Sequence, residues 1–160
     1  MKKTLNVGCG NRTYEEYPTG YKCTNYDIRE TLPNVDIVGD VTDLSKFEDE
    51  TFDYILASDI LEHFPVAKTL EILIEWARVL KKGGLIEFRV PNLAVICANY
   101  TPGKAQHTSW LLYGGQTYPE NFHYVGFDRQ FLSDFCSQVG LAPQEYREEG
   151  NNFILVTKKV

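Results

Sequence analysis

The chain has 160 residues, of which 43% are hydrophobic and 24% charged, a composition typical of a globular domain that excludes a disordered or collagen-like chain. No run approaches the roughly 18 apolar residues of a membrane span, and polar residues interrupt any signal-peptide pattern after Met1, so we expect a cytoplasmic protein. The net charge is −6 and no basic run exceeds two residues, which makes nucleic acid an unlikely partner.

Seven short apolar runs predict strands, at residues 4–7, 22–27, 35–38, 52–57, 85–90, 144–147 and 153–157. The last two runs flank Gly150-Asn151-Asn152, a turn signal that predicts an antiparallel hairpin. The order of elements indicates an α/β fold with a Rossmann-like doubly wound sheet, mostly parallel with an antiparallel C-terminal hairpin strand. We expect residues 1–160 to form a single domain.

Two helices are predicted. The first begins at Pro65 and ends at Gly83-Gly84, and its apolar residues form one stripe: Val66, Leu70, Leu73, Ala77 and Leu80. The second begins after Asp128 as N-cap and ends at Gly140, with an inward face of Phe131, Leu132 and Phe135.

Residues 93–127 show no clean periodicity and are rich in Gly, Tyr, His and Asn. They follow the fifth strand, so they are expected at the carboxyl edge of the sheet, where ligands bind. We predict a mobile lid on the substrate side, with four candidate substrate-binding residues: Tyr113, Gln116, Asn121 and Tyr124. The alternative is a rigid aromatic plug that closes the core.

A glycine-containing loop, Gly8-Cys9-Gly10-Asn11, follows the first strand, and glycines there allow the backbone to approach a ligand closely. Asp27 ends the next strand, where a carboxylate can accept both hydroxyls of a ribose. A strand-ending turn and an ordinary loop carboxylate are the structural alternatives for these residues.

The parts needed to bind a diphosphate are missing. The third-glycine position holds Arg12 or Thr13, and the 11 residues between Gly10 and Lys22 leave room for one short turn rather than a phosphate-binding helix. A ligand with a ribose and no phosphate fits better, which favours S-adenosylmethionine over NAD.

The chain resembles a compact class I S-adenosylmethionine-dependent methyltransferase of the methyltransferase-11-like type. The matching segments are Leu5–Gly10, Asn25–Ile28, Val38–Leu44, Phe52–Phe64, Glu75–Gly84 and Pro91-Asn92. They cover about the first 92 residues in the order and spacing of the family.

The resemblance implies a set of cofactor-binding residues: Gly8, Cys9, Gly10, Asn11, Asp27, Ile28, Asp40, Val41, Ala57 and Ser58. In this set the glycine loop passes under the methionine part, Asp27 holds the ribose hydroxyls and Ile28 packs on the adenine. Asp40 and the Val41 N–H meet the adenine edge, and Ala57 and Ser58 meet the methionine end. Asn6 and Arg12 depart from the family pattern.

His123 and His63 are the candidate catalytic bases, because a histidine titrates near neutrality and can remove a proton from an acceptor hydroxyl or amine. His63 follows the fourth strand and His123 lies in the 93–127 segment. A structural role is the alternative for His63. Glu62 is interpreted as a residue that orients the local backbone, and His107 as a surface residue.

The sequence contains no cluster with metal-ligand spacing, and its four cysteines form no CxxC pair, so we predict no metal site, reduced thiols and a metal-free in-line methyl transfer. The acceptor is expected to be a small molecule, a sugar or another metabolite, methylated on oxygen or nitrogen. The alternative function is a non-catalytic S-adenosylmethionine-binding sensor or accessory subunit. Because the sequence starts directly at the first strand, we expect either a small acceptor or a second subunit, as in a homodimer, that completes the pocket.

Overall fold

The computed structural model describes residues 1–160. Seven strands form one sheet: β1 (Lys2–Val7), β2 (Tyr21–Asp27), β3 (Ile37–Val38), β4 (Phe52–Ser58), β5 (Leu80–Pro91), β6 (Leu141–Glu149) and β7 (Asn152–Lys159). Their order across the sheet is β3-β2-β1-β4-β5-β7-β6. The first five strands are parallel, whereas β7 runs antiparallel to β5 and β6, as the sequence predicts.

The direction in which the chain winds reverses between β1 and β4. From β1 the chain proceeds outward to β2 and β3, and then returns to place β4 on the other side of β1 and β5 beyond it. The loops that leave β1 and β4 therefore diverge and open a crevice at the carboxyl edge of the sheet. This crevice is where an open parallel sheet binds its ligand.

Helix α1 (Val66–Val79) packs on one face of the sheet and ends earlier than predicted. Its buried face contains Ile72, Leu73 and Trp76, whereas Val66, at the start of the predicted stripe, is 44% exposed. Leu80 already has an extended backbone and pairs with Phe52, so its apolar side chain belongs to β5 rather than to the helix. Leu80 fits both the apolar spacing of the helix and that of the following strand, so periodicity alone predicts a C-terminal end of the helix that is too late.

Helix α4 (Arg129–Gln138) begins as predicted, with the Asp128 carboxylate accepting the Phe131 N–H at 2.8 Å. It contacts α1 and contributes Leu132 and Cys136 to the core cluster on the same face of the sheet. The expectation that Phe131 points inward is wrong, because its side chain is 38% exposed.

No helix lies between β1 and β2, which agrees with the short spacing read from the sequence. This connection instead places Tyr17 against the other face of the sheet. The Tyr17 ring centroid lies 6.0 Å from that of Tyr54, and its hydroxyl lies 3.0 Å from both carboxylate oxygens of Glu87. Arg89 neutralises that buried carboxylate at 2.6 Å.

The 93–127 segment contains two short helices that its composition did not predict, α2 (Leu93–Ala98) and α3 (Ala105–Tyr113). The segment leaves and re-enters the fold at one point, since the Leu93 N–H donates to the Phe127 carbonyl at 3.0 Å. None of the helices has the length and apolar character required to cross a membrane.

Candidate active site

Two neighbouring cavities occupy the crevice at the carboxyl edge of the sheet. The first encloses about 350 Å³ and lies over the ends of β2 and β3, and the second encloses about 470 Å³ and lies beside β1 and β4. Five residues line both cavities: Gly8, Arg29, Asp59, His63 and Tyr118. Together they form a continuous site of a size ordinary for small-molecule ligands.

Asp27 is held rigidly at the end of β2, where it lines the first cavity although the residue is only 4% exposed. One carboxylate oxygen accepts the Gly10 N–H at 2.8 Å, and the other accepts the Arg29 N–H at 2.9 Å and Nε at 3.1 Å. Burial acts to raise the pKa of Asp27, but these hydrogen bonds from Arg29 and Gly10 outweigh it and hold the pKa below its ordinary value. The side chain is therefore a fixed anion with lone pairs left for a ligand.

The rest of the first cavity combines an apolar surface with a second acid. Ile28 follows Asp27, lines the same cavity and is 49% exposed, so it presents an apolar surface to the cavity. Asp40 and Val41 line the opposite side, and the Asp40 carboxylate is oriented by the Thr42 N–H at 2.8 Å. The Val41 carbonyl is fixed by the buried Trp76 indole N–H, also at 2.8 Å.

A side chain at position 8 would be disfavoured twice, by the backbone conformation of Gly8 and by contact with a neighbouring residue. Its φ of +63° lies in the left-handed region, and an added Cβ would lie 2.5 Å from Cδ1 of Ile60. The loop after β1 thus packs directly on the residue that precedes the turn carrying Glu62 and His63.

Charged groups converge where the second cavity meets β4. Arg12 donates to the Asp59 carboxylate at 2.6 Å and to the Ser58 hydroxyl at 3.1 Å. The side-chain amide of Asn152 donates to the other Asp59 oxygen at 2.6 Å. Asp59 itself has φ +53°, so the backbone bends sharply here. This arrangement places one cation and one anion beside the glycine loop.

Two histidines and a glutamate come together at the other end of the second cavity. The His63 and His123 ring centroids lie 4.8 Å apart, with the planes inclined at 80°. The Tyr124 N–H donates to the Glu62 carbonyl at 2.8 Å, which pins the 93–127 segment to the 3₁₀ turn Leu61–His63. One ligand atom each of Glu62, His63 and His123 lies within 4.8 Å of the other two.

The hydrogen bonds of the histidines define their tautomers. His63 Nδ1 lies 3.0 Å from the Phe122 carbonyl oxygen, and His123 Nδ1 lies 3.1 Å from that of Leu111. A carbonyl can only accept, so each Nδ1 carries the proton and each Nε2 is the unprotonated nitrogen. Burial lowers the pKa of both imidazoles, and for His63 the neighbouring His123 lowers it further.

Glu62 is 1% exposed, and neither of its carboxylate oxygens has a hydrogen-bond partner. Burial, reinforced by the charge of Asp59, raises its pKa well above that of an ordinary carboxyl. The interpretation that its side chain orients the backbone is therefore wrong, since the carboxylate bonds to no backbone group. It lies instead in the wall of the second cavity.

The remaining residues predicted for the site occupy several places. Cys9, Gly10, Asn11, Ser58 and Asn121 line the second cavity, and Tyr124 lines the first. Three others line neither cavity: Ala57, Tyr113 and Gln116. Ala57 is buried inside the sheet, whereas Tyr113 is 55% exposed on the surface. His107 is exposed, as predicted, and stacks on Trp110.

Sequence reasoning did not single out Arg29, Asp59 or Tyr118, which line both cavities. Asp59 could have been found by the argument used for Asp27, because both acids come at the carboxyl end of a strand beside the crevice. Arg29 and Tyr118 carry no such signal. The Arg29 guanidinium lies 5.1 Å from the Tyr118 ring centroid, a cation–π contact between distant parts of the chain.

The fold and the motifs along the carboxyl edge define a class I S-adenosylmethionine-dependent methyltransferase. The family model described as methyltransferase domain matches residues 5–88, more than half of the chain, and the chain belongs to this family. The cofactor of the family is S-adenosylmethionine, as the motifs predict. No curated protein matches the chain significantly in sequence.

Solved structures, methyltransferases among them, share the fold over nearly the whole chain. The 1,6-didemethyltoxoflavin N1-methyltransferase of Burkholderia thailandensis, solved with its substrate and S-adenosylhomocysteine, is 16% identical with a TM-score of 0.74, over 99% of this chain and 72% of that one. A Methanosarcina mazei S-adenosylmethionine-dependent methyltransferase is 20% identical, with a TM-score of 0.71, and the match covers 99% of this chain and 92% of that one. A Pyrococcus horikoshii protein is 22% identical, with a TM-score of 0.73, and the match covers 99% of this chain and 82% of that one.

Proposed function

We propose that the protein transfers the methyl group of S-adenosylmethionine to an oxygen or nitrogen atom of a small-molecule acceptor. The observation that carries this proposal is the fixed carboxylate of Asp27 beside the exposed side chain of Ile28, at the edge of a sheet with no helix between β1 and β2. A fixed anion suits a ribose diol and an exposed apolar side chain suits a purine face. The missing helix disfavours a ligand with a diphosphate.

The residues around the first cavity fit the nucleoside half of the cofactor. Asp27 would accept the ribose hydroxyls, Ile28 would cover one face of the adenine, and Asp40 would accept from the adenine amino group. Asp40 and Val41 are both anchored by bonds to neighbouring residues, so the pocket needs no rearrangement to receive an adenine.

The residues around the second cavity fit the amino-acid half. Arg12 and Asp59 offer a cation and an anion to a zwitterionic tail, beside Ser58 and the glycine loop. Asn6 is not available for this purpose, because its amide donates to the Arg12 carbonyl at 2.8 Å and to Asn25 at 3.1 Å. It holds the loop in shape from behind. The bound cofactor supplies an electrophilic methyl group, and the chain's part is to align it with an acceptor.

The acceptor would occupy the part of the second cavity walled by residues 110–123. Trp110 and Leu111 provide apolar surface there, and Asn121 offers an amide group. The net charge of −6 disfavours a polyanionic acceptor. A didemethyltoxoflavin is the acceptor of the Burkholderia relative, which supports a compact molecule here.

Proton removal from the acceptor is assigned to the histidine pair. Both rings are neutral near pH 7 because burial lowers their pKa, and each keeps an unprotonated Nε2. A neutral imidazole in a wall of the cavity can accept the proton of a hydroxyl or amine. His123 faces the second cavity alone, whereas His63 lies where the two cavities meet.

The 93–127 segment acts in this proposal as a lid on the substrate side of a single domain. Its exposed aromatic residues, Trp110 at 58%, Tyr113 at 55% and Tyr124 at 60%, support contact with a second copy of the chain that would complete the pocket. Sedimentation of the purified protein tests the dimer.

Replacement of Asp27 tests the proposed cofactor site. Asp27→Asn keeps the shape but removes the charge, and should weaken binding of S-adenosylhomocysteine about 10- to 100-fold, since hydrogen bonds to a charged group contribute about 1.5–3 kcal/mol. Calorimetry measures the affinity, with the exposed acid variant Glu71→Gln as control. Equal affinities of Asp27→Asn and the unaltered protein would contradict the assignment.

Activity itself is tested by transfer of a labelled methyl group to small molecules extracted from the native source. Labelled product formed by the unaltered protein and reduced in Asp27→Asn would establish an enzyme. Binding of S-adenosylhomocysteine without any labelled product would instead favour the sensor or accessory subunit.

A further inference from the structure

We propose that Glu62, His63 and His123 form a binding site for a divalent transition-metal ion of the zinc type. Three observations of the structure point to it: the convergence of the three groups, the tautomers of the two histidines, and the absence of any other partner for the glutamate. The ion binding does not depend on the proposed methyl transfer. The use of the ion toward an acceptor rests on that function.

The three side chains come from two distant parts of the chain. Glu62 and His63 lie on the 3₁₀ turn after β4, and His123 lies near the end of the 93–127 segment. One ligand atom of each lies within 4.8 Å of the others. Tetrahedral zinc with bonds of about 2.0–2.1 Å separates its ligands by roughly 3.4 Å, so side-chain shifts of about 1 Å would close the set around an ion.

The tautomers are those that metal-bound histidines require. A ligating imidazole usually donates its other ring N–H to a carbonyl or carboxylate, which fixes the ring and aims the free nitrogen at the metal. His63 and His123 each do this with a backbone carbonyl, of Phe122 and Leu111. Each histidine thereby keeps an unused Nε2 lone pair.

Glu62 supplies the third argument. An unpartnered carboxylate is expensive to bury, and both of its oxygens lack a hydrogen bond although the residue is 1% exposed. A divalent cation beside it would compensate the charge. Two imidazoles and one carboxylate suit zinc or ferrous iron, whereas magnesium and calcium prefer oxygen ligands alone.

The site has the form of a catalytic rather than a structural metal centre. It offers three protein ligands, and all three residues line the second cavity, so the remaining coordination positions open toward the space assigned to the acceptor. An acceptor oxygen or nitrogen could bind there directly. In the metal-loaded protein the two Nε2 atoms would be ligands rather than bases, and the ion would lower the pKa of the bound acceptor in their place. This proposal departs from the metal-free prediction, which rested on ligand spacing in the sequence, because such spacing cannot reveal ligands that lie 60 residues apart in the chain.

The experiment is a calorimetric titration of chelator-treated, full-length protein with Zn²⁺, and with Mg²⁺ as a hard-ion comparison. We expect one Zn²⁺ per chain and no saturable binding of Mg²⁺. Glu62→Gln and His123→Ala should each lower Zn²⁺ affinity by more than the roughly 10–100-fold that loss of an outer-shell partner costs. His107→Ala, which alters an exposed histidine of the same segment, should leave the affinity unchanged.

Absence of Zn²⁺ binding by the unaltered protein would overturn the proposal, as would Glu62→Gln and His123→Ala variants that bind as tightly as it does. Circular dichroism establishes that each variant is folded, and His63→Ala serves if either is not. Binding of S-adenosylhomocysteine is measured on the same samples. Asp27→Asn should bind S-adenosylhomocysteine about 10- to 100-fold more weakly and keep its Zn²⁺ affinity, so failure of the metal site and failure of the cofactor site give different results.

Discussion

Gly8 shows how one residue can be constrained by two independent demands. A side chain at this position would need a left-handed backbone and would also collide with Ile60. Gly20 has a similar backbone, with φ +85°, but an added Cβ there would meet nothing within 4 Å. A comparison of the two positions therefore separates the cost of a left-handed backbone for a residue with a side chain from the cost of the steric clash with Ile60.

We expect Gly8→Ala to lower the free energy of unfolding more than Gly20→Ala does, by about 1–3 kcal/mol, the usual cost of overpacking. Chemical denaturation of both variants measures the difference. Ile60→Ala should recover part of the loss in the Gly8→Ala background and none in the Gly20→Ala background. Equal losses in the two glycine variants would mean that the Ile60 contact is unimportant.

At the scale of elements, α1 contains a buried polar group that its packing does not satisfy. Thr69 is fully buried on the face directed at the sheet, and its hydroxyl has no hydrogen-bond partner. A buried unsatisfied hydroxyl costs stability that a methyl group of the same shape would not. The helix is thus less stable than its sequence would permit.

Thr69→Val should raise the free energy of unfolding by about 1 kcal/mol, because it removes the unpaired hydroxyl and keeps the shape. The matched variant Thr69→Ser keeps the hydroxyl and removes the methyl group, and should lower the same quantity by about 1 kcal/mol. Thermal unfolding of both proteins provides the comparison. A destabilised Thr69→Val would indicate that the hydroxyl has a partner after all.

The elements also show which features a sequence can reveal. The strands, the Asp128 cap and the hairpin at Gly150 followed from local patterns, because each depends on residues adjacent in the chain. The cluster of Glu62, His63 and His123 did not, because it exists only once the 93–127 segment is folded against the turn after β4. Helix α3 has no buried residue, so no apolar periodicity in the sequence predicts it.

The charge state of the whole molecule depends on pH through its buried titratable groups. Burial lowers the pKa of His63 and His123 below 6.5, so the folded state binds their protons less readily than the unfolded state. Their contribution to stability is then present above about pH 6.5 and is lost as the pH falls through their folded-state pKa values. The effect of Glu62 on stability has the opposite sign. Its pKa is raised in the folded state, so its contribution to the free energy of unfolding is lost as the pH rises.

Between pH 7 and pH 5 the two imidazoles should lower the melting temperature of the chelator-treated protein, whereas Glu62 acts in the opposite direction. The melting temperature of the double variant His63→Asn, His123→Asn should therefore lie progressively higher relative to that of the unaltered protein as the pH falls. Neither asparagine can take up a proton in this range. His107→Asn provides the control and should follow the unaltered protein. Parallel curves for the double variant and the unaltered protein would show that these imidazoles have the same pKa in the folded and unfolded states.

The 35 residues between β5 and α4 leave and re-enter the fold where the Leu93 N–H donates to the Phe127 carbonyl, and the Tyr124 N–H bonds the segment to Glu62 of the 3₁₀ turn. An insertion or replacement in the part of this segment that contains α3 need not disturb a strand or a register, whereas Tyr118 and Tyr124 line the nucleoside end of the crevice and would have to be kept. Acceptor preference could thus diverge between relatives by exchange of the part that contains α3, while the methyl donor is kept. Chimaeras in which this part is replaced offer a direct route to new acceptors.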